Sequence, residues 1–266
     1  MSVFDDDTAV ARQGDHWVGH VSPRWAVGAN PNGGYLLAIA ARAMLADSGH
    51  PDPWTVTAHY LSPPTEGPVE VRTSVIKPGR TYSTVSGELH QGGRERVRIL
   101  AAFGDLAARH GVTRVAAAMP AIPPPEECRP LFEVTPGGSE RSPEVIRRFE
   151  VRVPADTPWG RQPGDGPFEI TGWIRFADGS DASVLSLLLM VDAYPPTLVG
   201  GMEVGWVPTV ELTTHIRARP APGWLLGTFR TRFLIDGLLE EDGELWDSEG
   251  RLVALSRQLA IALPRG

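Results

Sequence analysis

Asp192 follows Leu189, Leu188 and Leu185 by three, four and seven residues, at the end of the run 184–191 (VLSLLLMV), which only Ser186 interrupts. A helix that is apolar on every side is a buried helix. A carboxylate on its face is costly unless it is paired or put to use. Burial beside leucines would raise its pKa and suit it to general acid or base work. The alternative, a helix end that tips Asp192 into solvent, is equally open from this stretch alone. Asp178-Gly-Ser-Asp181 ahead of the run offers turn and N-cap residues, and Pro195-Pro196 ends it. Eight residues are too few to span a bilayer.

The elements that must position this group fall into two similar series. In the first, Asn30-Pro-Asn-Gly-Gly34 leads into a helix over residues 35–45, apolar except for Arg42. Asn32 can cap it, while Gly33 and Gly34 leave its first N–H groups uncovered and favour negative charge there. The amides around Asn32, Gly33, Gly34 and Tyr35 are therefore candidate substrate-binding donors. An opening strand and turn over 17–25 precede this helix. Strand-like runs at 55–61, 69–77, 81–89 and 96–103 follow, separated by Pro63-Pro64, Pro78-Gly79 and Gly92-Gly93. Such spacing reads as an antiparallel meander curled around a helix. A Pro-rich connector (116–125, then Pro136-Gly-Gly-Ser139) leads to strands at 168–176, 209–216, 224–233, near Leu245 and at 252–263.

The second series repeats the first. Thr57-Ala58-His59 matches Thr213-Thr214-His215, Pro64 matches Pro220, and Gly87-Glu88-Leu89 matches Gly243-Glu244-Leu245, all 156 positions apart. The helices align at an interval of about 149. The expectation is an α+β double unit: an N-terminal half over 1–105, a connector over 106–150 and a C-terminal half over 151–266. Asp192, Thr209 and Gln258 fall on apolar residues of the first half: Ala43 or Leu36, Pro53 and Ala102. One of two equivalent sites is thus expected to work. Each residue also has a plain reading. Thr209 can simply start a strand, Gln258 can bond to backbone on a small-residue face, and His59 and His215 can be structural.

Composition narrows the function classes. Net charge is −7 and Lys77 is the only lysine among 25 basic residues, which lie scattered, so no nucleic-acid partner is expected. The acidic start lacks an apolar signal region, and the chain is read as cytoplasmic with no membrane insertion. The lone Cys128 cannot form an internal disulfide and is too little for a thiolate metal cluster. Neither a nucleophile elbow nor a zinc, phosphate-loop or dinucleotide motif occurs. No metal or cofactor is expected. Eight tryptophans and broad sheet faces point to a homo-oligomer.

The ordered set Asn32-Gly33-Gly34, TAHYLSPP from Thr57, Gly79-Arg80-Thr81-Tyr82-Ser83-Thr84, LMVDAYPP from Leu189, Pro208-Thr209-Val210-Glu211-Leu212 and DSEGRLVALSRQ from Asp247 resembles the double-hotdog acyl-CoA thioesterases of the thioesterase II-like group. The resemblance covers residues 17–263. It implies two hotdogs side by side, each a helix wrapped by a curved antiparallel sheet, acting on an acyl-CoA. It also implies a catalytic set of Asp192, Thr209 and Gln258 that holds and activates a water. A hotdog dehydratase using His59 or His215, and a silent acyl-CoA-binding module, are the competing readings.

Overall fold

Thr57 and Thr213 pair with each other at the centre of one antiparallel sheet, their hydroxyls 2.9 Å apart. Since 156 positions separate them, each half meets its own counterpart there, as about a two-fold axis. The computed structural model describes residues 2–134, 143–157, 159, 167–199, 201, 202 and 204–264. The Pro136–Ser139 part of the expected connector lies outside them, as do Gly200 and Glu203 of the loop after the second helix.

The first half contains β1 (His16–Val21), α1 (Gly33–Ser48), β2 (Asp52–Tyr60), β3 (Gly67–Lys77), β4 (Tyr82–Gln91) and β5 (Arg94–Gly104). After the connector come β6 (Phe149–Val153), β7 (Phe168–Phe176), α2 (Ser186–Met190), β8 (Thr209–Ile216), β9 (Leu225–Thr231), β10 (Leu238–Trp246) and β11 (Leu252–Ile261). Neighbours in the sheet run β1-β3-β4-β5-β2-β8-β11-β10-β9-β7-β6. The order is palindromic about the β2–β8 seam, with β6 at one end matched by a short strand, Ala11–Gln13, beside β1 at the other. This is the double hotdog, an α+β fold.

Period-two alternation sets the faces. Val56 and Ala58 of β2, and Leu212, Thr214 and Ile216 of β8, are buried, whereas His59 and His215 are exposed on the opposite face. On the inner side α1 is apolar nearly all round, with Tyr35 to Ala41 almost fully buried. Asn32 caps its start and Gly49, at φ 74°, closes its end in the left-handed conformation that glycine adopts without strain. The helices cross closely at Gly34, where an added Cβ would stand 2.5 Å from the Leu188 carbonyl oxygen. Among the described residues no helix is long and apolar enough to cross a membrane.

Three expectations are corrected. The second helix is a single short element, Ser186–Met190, shorter than the apolar run 184–191, and its N-cap residue Leu185 makes no side-chain cap bond. The Ser183 amide donates to Ser186 Oγ (2.8 Å) and the Ser186 amide to Ser183 Oγ (3.2 Å). Asp178 and Asp181 serve elsewhere, accepting from Ser180 and Gly223 amides. Secondly, the strand before β7 begins at Phe149, inside the expected connector of 106–150. Residues 149–153 form β6 on the edge of β7, and Phe149 packs against Trp25 and Phe176. Thirdly, the β10–β11 hairpin holds one residue more than the β4–β5 hairpin, since Gly243 pairs with Ser256 and Gly87 with Ile99. Val56 and Val85 flank Ala101, as Leu212 and Glu241 flank Gln258. The counterpart of Gln258 is therefore Ala101 rather than Ala102.

Candidate active site

The N-terminus of α1 is aimed at Asp192 from across the seam. Asn32 Oδ1 accepts from the Tyr35 amide at 2.9 Å, the usual capping bond. Its Nδ2 donates to the Asp192 carbonyl at 2.7 Å and to Asp192 Oδ2 at 2.9 Å. The Gly34 amide donates to the same Oδ2 at 2.8 Å. Both side-chain bonds fall on Oδ2, and Oδ1 carries neither. Two effects compete on the carboxyl. Burial raises its pKa, while the Gly34, Asn32 and Gly33 donors lower it, and burial wins at about 6. The first half's helix thus holds the second half's acid, and Asp192 does not tip into solvent.

A second polar cluster lies where β8 begins. The Thr209 hydroxyl donates to Gln258 Oε1 at 2.9 Å, and Gln258 Nε2 donates to Glu241 Oε1 at 3.0 Å. Glu241 Oε2 accepts from the Thr197 amide at 2.8 Å, and the Thr197 hydroxyl bonds Thr231 Oγ1 at 2.8 Å. Burial pushes Glu241 up to about 7, and the charge of Asp192 adds to the rise, so the two clusters share one field. Ionised, Glu241 is acceptor-only, and this fixes the Gln258 amide with its NH2 towards Glu241. Thr209 then gives its proton to Gln258 and keeps oxygen lone pairs for another donor. Among the described residues Asp192 bonds to neither Thr209 nor Gln258.

Glu241 was missed in the sequence, where Glu241-Asp242-Gly243 reads as a turn, whereas the structure places all three within β10. Parity could have found it, since Leu239, Glu241, Gly243 and Leu245 share the inner face and are all buried.

Of the expected substrate-binding group, Gly33 and Gly34 line the site, but their amides serve Asp192. Asn32 likewise holds Asp192. Tyr35 is corrected: its amide is taken by Asn32, and its hydroxyl donates to the Asp7 or His20 carbonyl and accepts from the Ser22 amide. Its ring stacks on Trp25 in the core. It has no group left to offer a ligand. Cys128 is buried in the connector, with its thiol against the Pro123 carbonyl and its pKa raised by burial.

Models of the acyl-CoA thioesterase N-terminal and C-terminal domains match residues 21–104 and 125–262. The fold superposes on a thioesterase II candidate from Thermobifida fusca with a TM-score of 0.88 and 34% identity over 98% of both chains. A hot dog protein of unknown function from Alicyclobacillus acidocaldarius has a TM-score of 0.86 at 22% identity over 100% of both chains, a likeness of fold. An uncharacterized protein of Mycobacterium tuberculosis is 29% identical over 91% of this chain and 89% of its own. The chain belongs to the acyl-CoA thioesterase family that these two domain models describe.

Proposed function

We propose that the chain is a cytoplasmic hydrolase that cleaves the thioester of an acyl-CoA, with Asp192 as general base and Thr209 and Gln258 orienting the attacking water. The observation that carries this reading is the Asp192 carboxylate held at the N-terminus of α1 by Asn32 and Gly34, with its pKa raised by burial to about 6. At neutral pH it is ionised, yet basic enough to accept a proton from water. Oδ2 takes the bonds from Asn32 Nδ2 and the Gly34 amide, and Oδ1 is the oxygen assigned to the transfer in this reading. The water proton passes to Asp192 as its oxygen bonds the thioester carbon, and the C=O electron pair moves onto oxygen. Collapse of that intermediate expels the CoA thiolate, which takes the proton back from Asp192. The products are the acid and CoA–SH.

The dehydratase reading needs a histidine base, and His59 and His215 are exposed on the face away from the helices. The exposed apolar side chains Phe233, Ile235 and Leu238 support self-association, testable by light scattering at micromolar concentration. Thiol release from acyl-CoAs of short, medium and long chain tests the hydrolase reading. Turnover of at least one chain length, abolished by Asp192→Asn, is expected. No release from any of them would overturn it.

A further inference from the structure

The acyl-transfer reading leaves one requirement open: donors for the negative charge that develops on the thioester oxygen. The helix amides at Gly33 and Gly34 are natural candidates, but both are directed to Asp192. The hydroxyl of Tyr60 is different. It is buried, and among the described residues it has no hydrogen-bond partner. A buried hydroxyl without a partner is costly, and an explanation is needed for each one.

Its position supplies one. Tyr60 ends β2, and Thr209 starts β8, the antiparallel neighbour, so the two residues stand at the same end of the seam. Val56, Ala58 and Tyr60 alternate onto the inner face that carries the helices. A Cβ built on Gly33 would lie 3.0 Å from the Tyr60 hydroxyl and 3.2 Å from Asp192 Oδ2. The two groups therefore close on Gly33 from two sides, and with Tyr60 Cζ also 2.9 Å from that Cβ position only glycine fits between them. The repeat gives an independent observation. The counterpart of Tyr60 is Ile216, 2% exposed, at the end of the seam where Asp192, Thr209, Glu241 and Gln258 have apolar counterparts as well. A polar residue stands at this position at one end of the seam and an apolar one at the other, as for the rest of the set.

We propose that Tyr60 is a further catalytic residue, whose hydroxyl donates a hydrogen bond to the carbonyl oxygen of the bound thioester and to the oxyanion formed from it. This rests on the acyl-CoA reading above and adds the missing donor to it. Burial and the nearby charges of Asp192 and Glu211 keep the phenol protonated, hence a donor, at every working pH.

The test is Tyr60→Phe, which removes only the hydroxyl. Two unreactive CoA ligands of equal chain length separate its role: an S-(2-oxoalkyl)-CoA, which carries a ketone in the reacting region, and an S-alkyl-CoA, which carries none. The wild type is expected to prefer the ketone, and the variant to lose about tenfold of that preference while binding the alkyl ligand unchanged. Its kcat should fall about 10- to 100-fold with little change in KM. The melting temperature should hold or rise, because the lost hydroxyl has no protein partner. An undiminished ketone preference in Tyr60→Phe would overturn the proposal, as would equal weakening of both ligands. So would a shifted pH–rate limb with the preference intact, since Tyr60 would then act on Asp192 instead. A wild type that prefers the ketone through Tyr60 but releases no thiol would sink the hydrolase reading and leave the donor role standing.

Discussion

The two ends of the β2–β8 seam share one backbone plan and differ in what fills it. At one end, Asp192, Thr209, Glu241 and Gln258 form polar clusters, with Glu241 and Gln258 buried and Asp192 and Thr209 half-buried. At the other, Thr209 is matched by Pro53, Glu241 by Val85, Gln258 by Ala101, and Asp192 by Leu36 or Ala43, all buried. The strand bulge near Thr209 recurs near Pro53, so the scaffold geometry is the same at both. The scaffold therefore does not need these polar groups. Buried carboxylates lower stability, and their presence at one end only fits a functional role there.

The comparison breaks most sharply at Asp192. Asp192→Asn keeps size and removes the base, and should cut kcat for thiol release at least ~100-fold with little change in binding. Thr209→Val and Gln258→Leu each remove one orienting group, at about 1–3 kcal/mol, so steady-state rates should fall roughly 5- to 100-fold. Gly34→Ala probes the helix crossing instead. The new methyl would meet the Leu188 carbonyl and Leu189 Cα, and urea melts should show a loss of about 1–3 kcal/mol.

Glu241 gives a pH-dependent test. Its folded pKa of about 7 is raised above its ordinary 4.5. The folded chain therefore keeps a proton that the unfolded chain releases, and stability falls as pH rises from about 4.5 to about 7. Glu241→Gln should remove that loss. Relative to wild type, its melting temperature should be better at pH 8 than at pH 4. The new amide cannot accept from both the Thr197 amide and the Gln258 NH2, so Gln258 must turn and Thr209 reverse its bond. Activity should fall about tenfold, since a donor and an acceptor exchange places. The smallest effect belongs to the silent end. Ala101→Ser should leave thiol release within twofold of wild type, and a larger loss would show that the two ends are not independent.

Much of the fold was legible because periodicity and the 156-residue repeat encode strands and their seam directly. Thr57 and Thr213, matched as sequence, meet as atoms. The short second helix was not legible, since Ser183 and Ser186 bond to each other's amides and the regular helix begins only at Ser186, inside the apolar run. Nor was the one-residue offset at Ala101, which depends on the one extra residue of the β10–β11 hairpin. Asp192 was readable from its leucine neighbours. The donors holding it were read as substrate amides, because a sequence does not say which negative group fills a helix N-terminus. Glu241 and Tyr60 lay hidden for a shared reason: their exposure follows from strand parity, while their residue types suggest surface and core.

The most direct test of the central claim is the pH dependence of kcat/KM for the best acyl-CoA. If Asp192 must be ionised, the rate rises tenfold per pH unit below about 6 and levels off above it. Asp192→Asn should lose both the limb and the rate. A wild-type profile flat from pH 4.5 to 8, or a limb near 6 that survives in Asp192→Asn, would contradict the account.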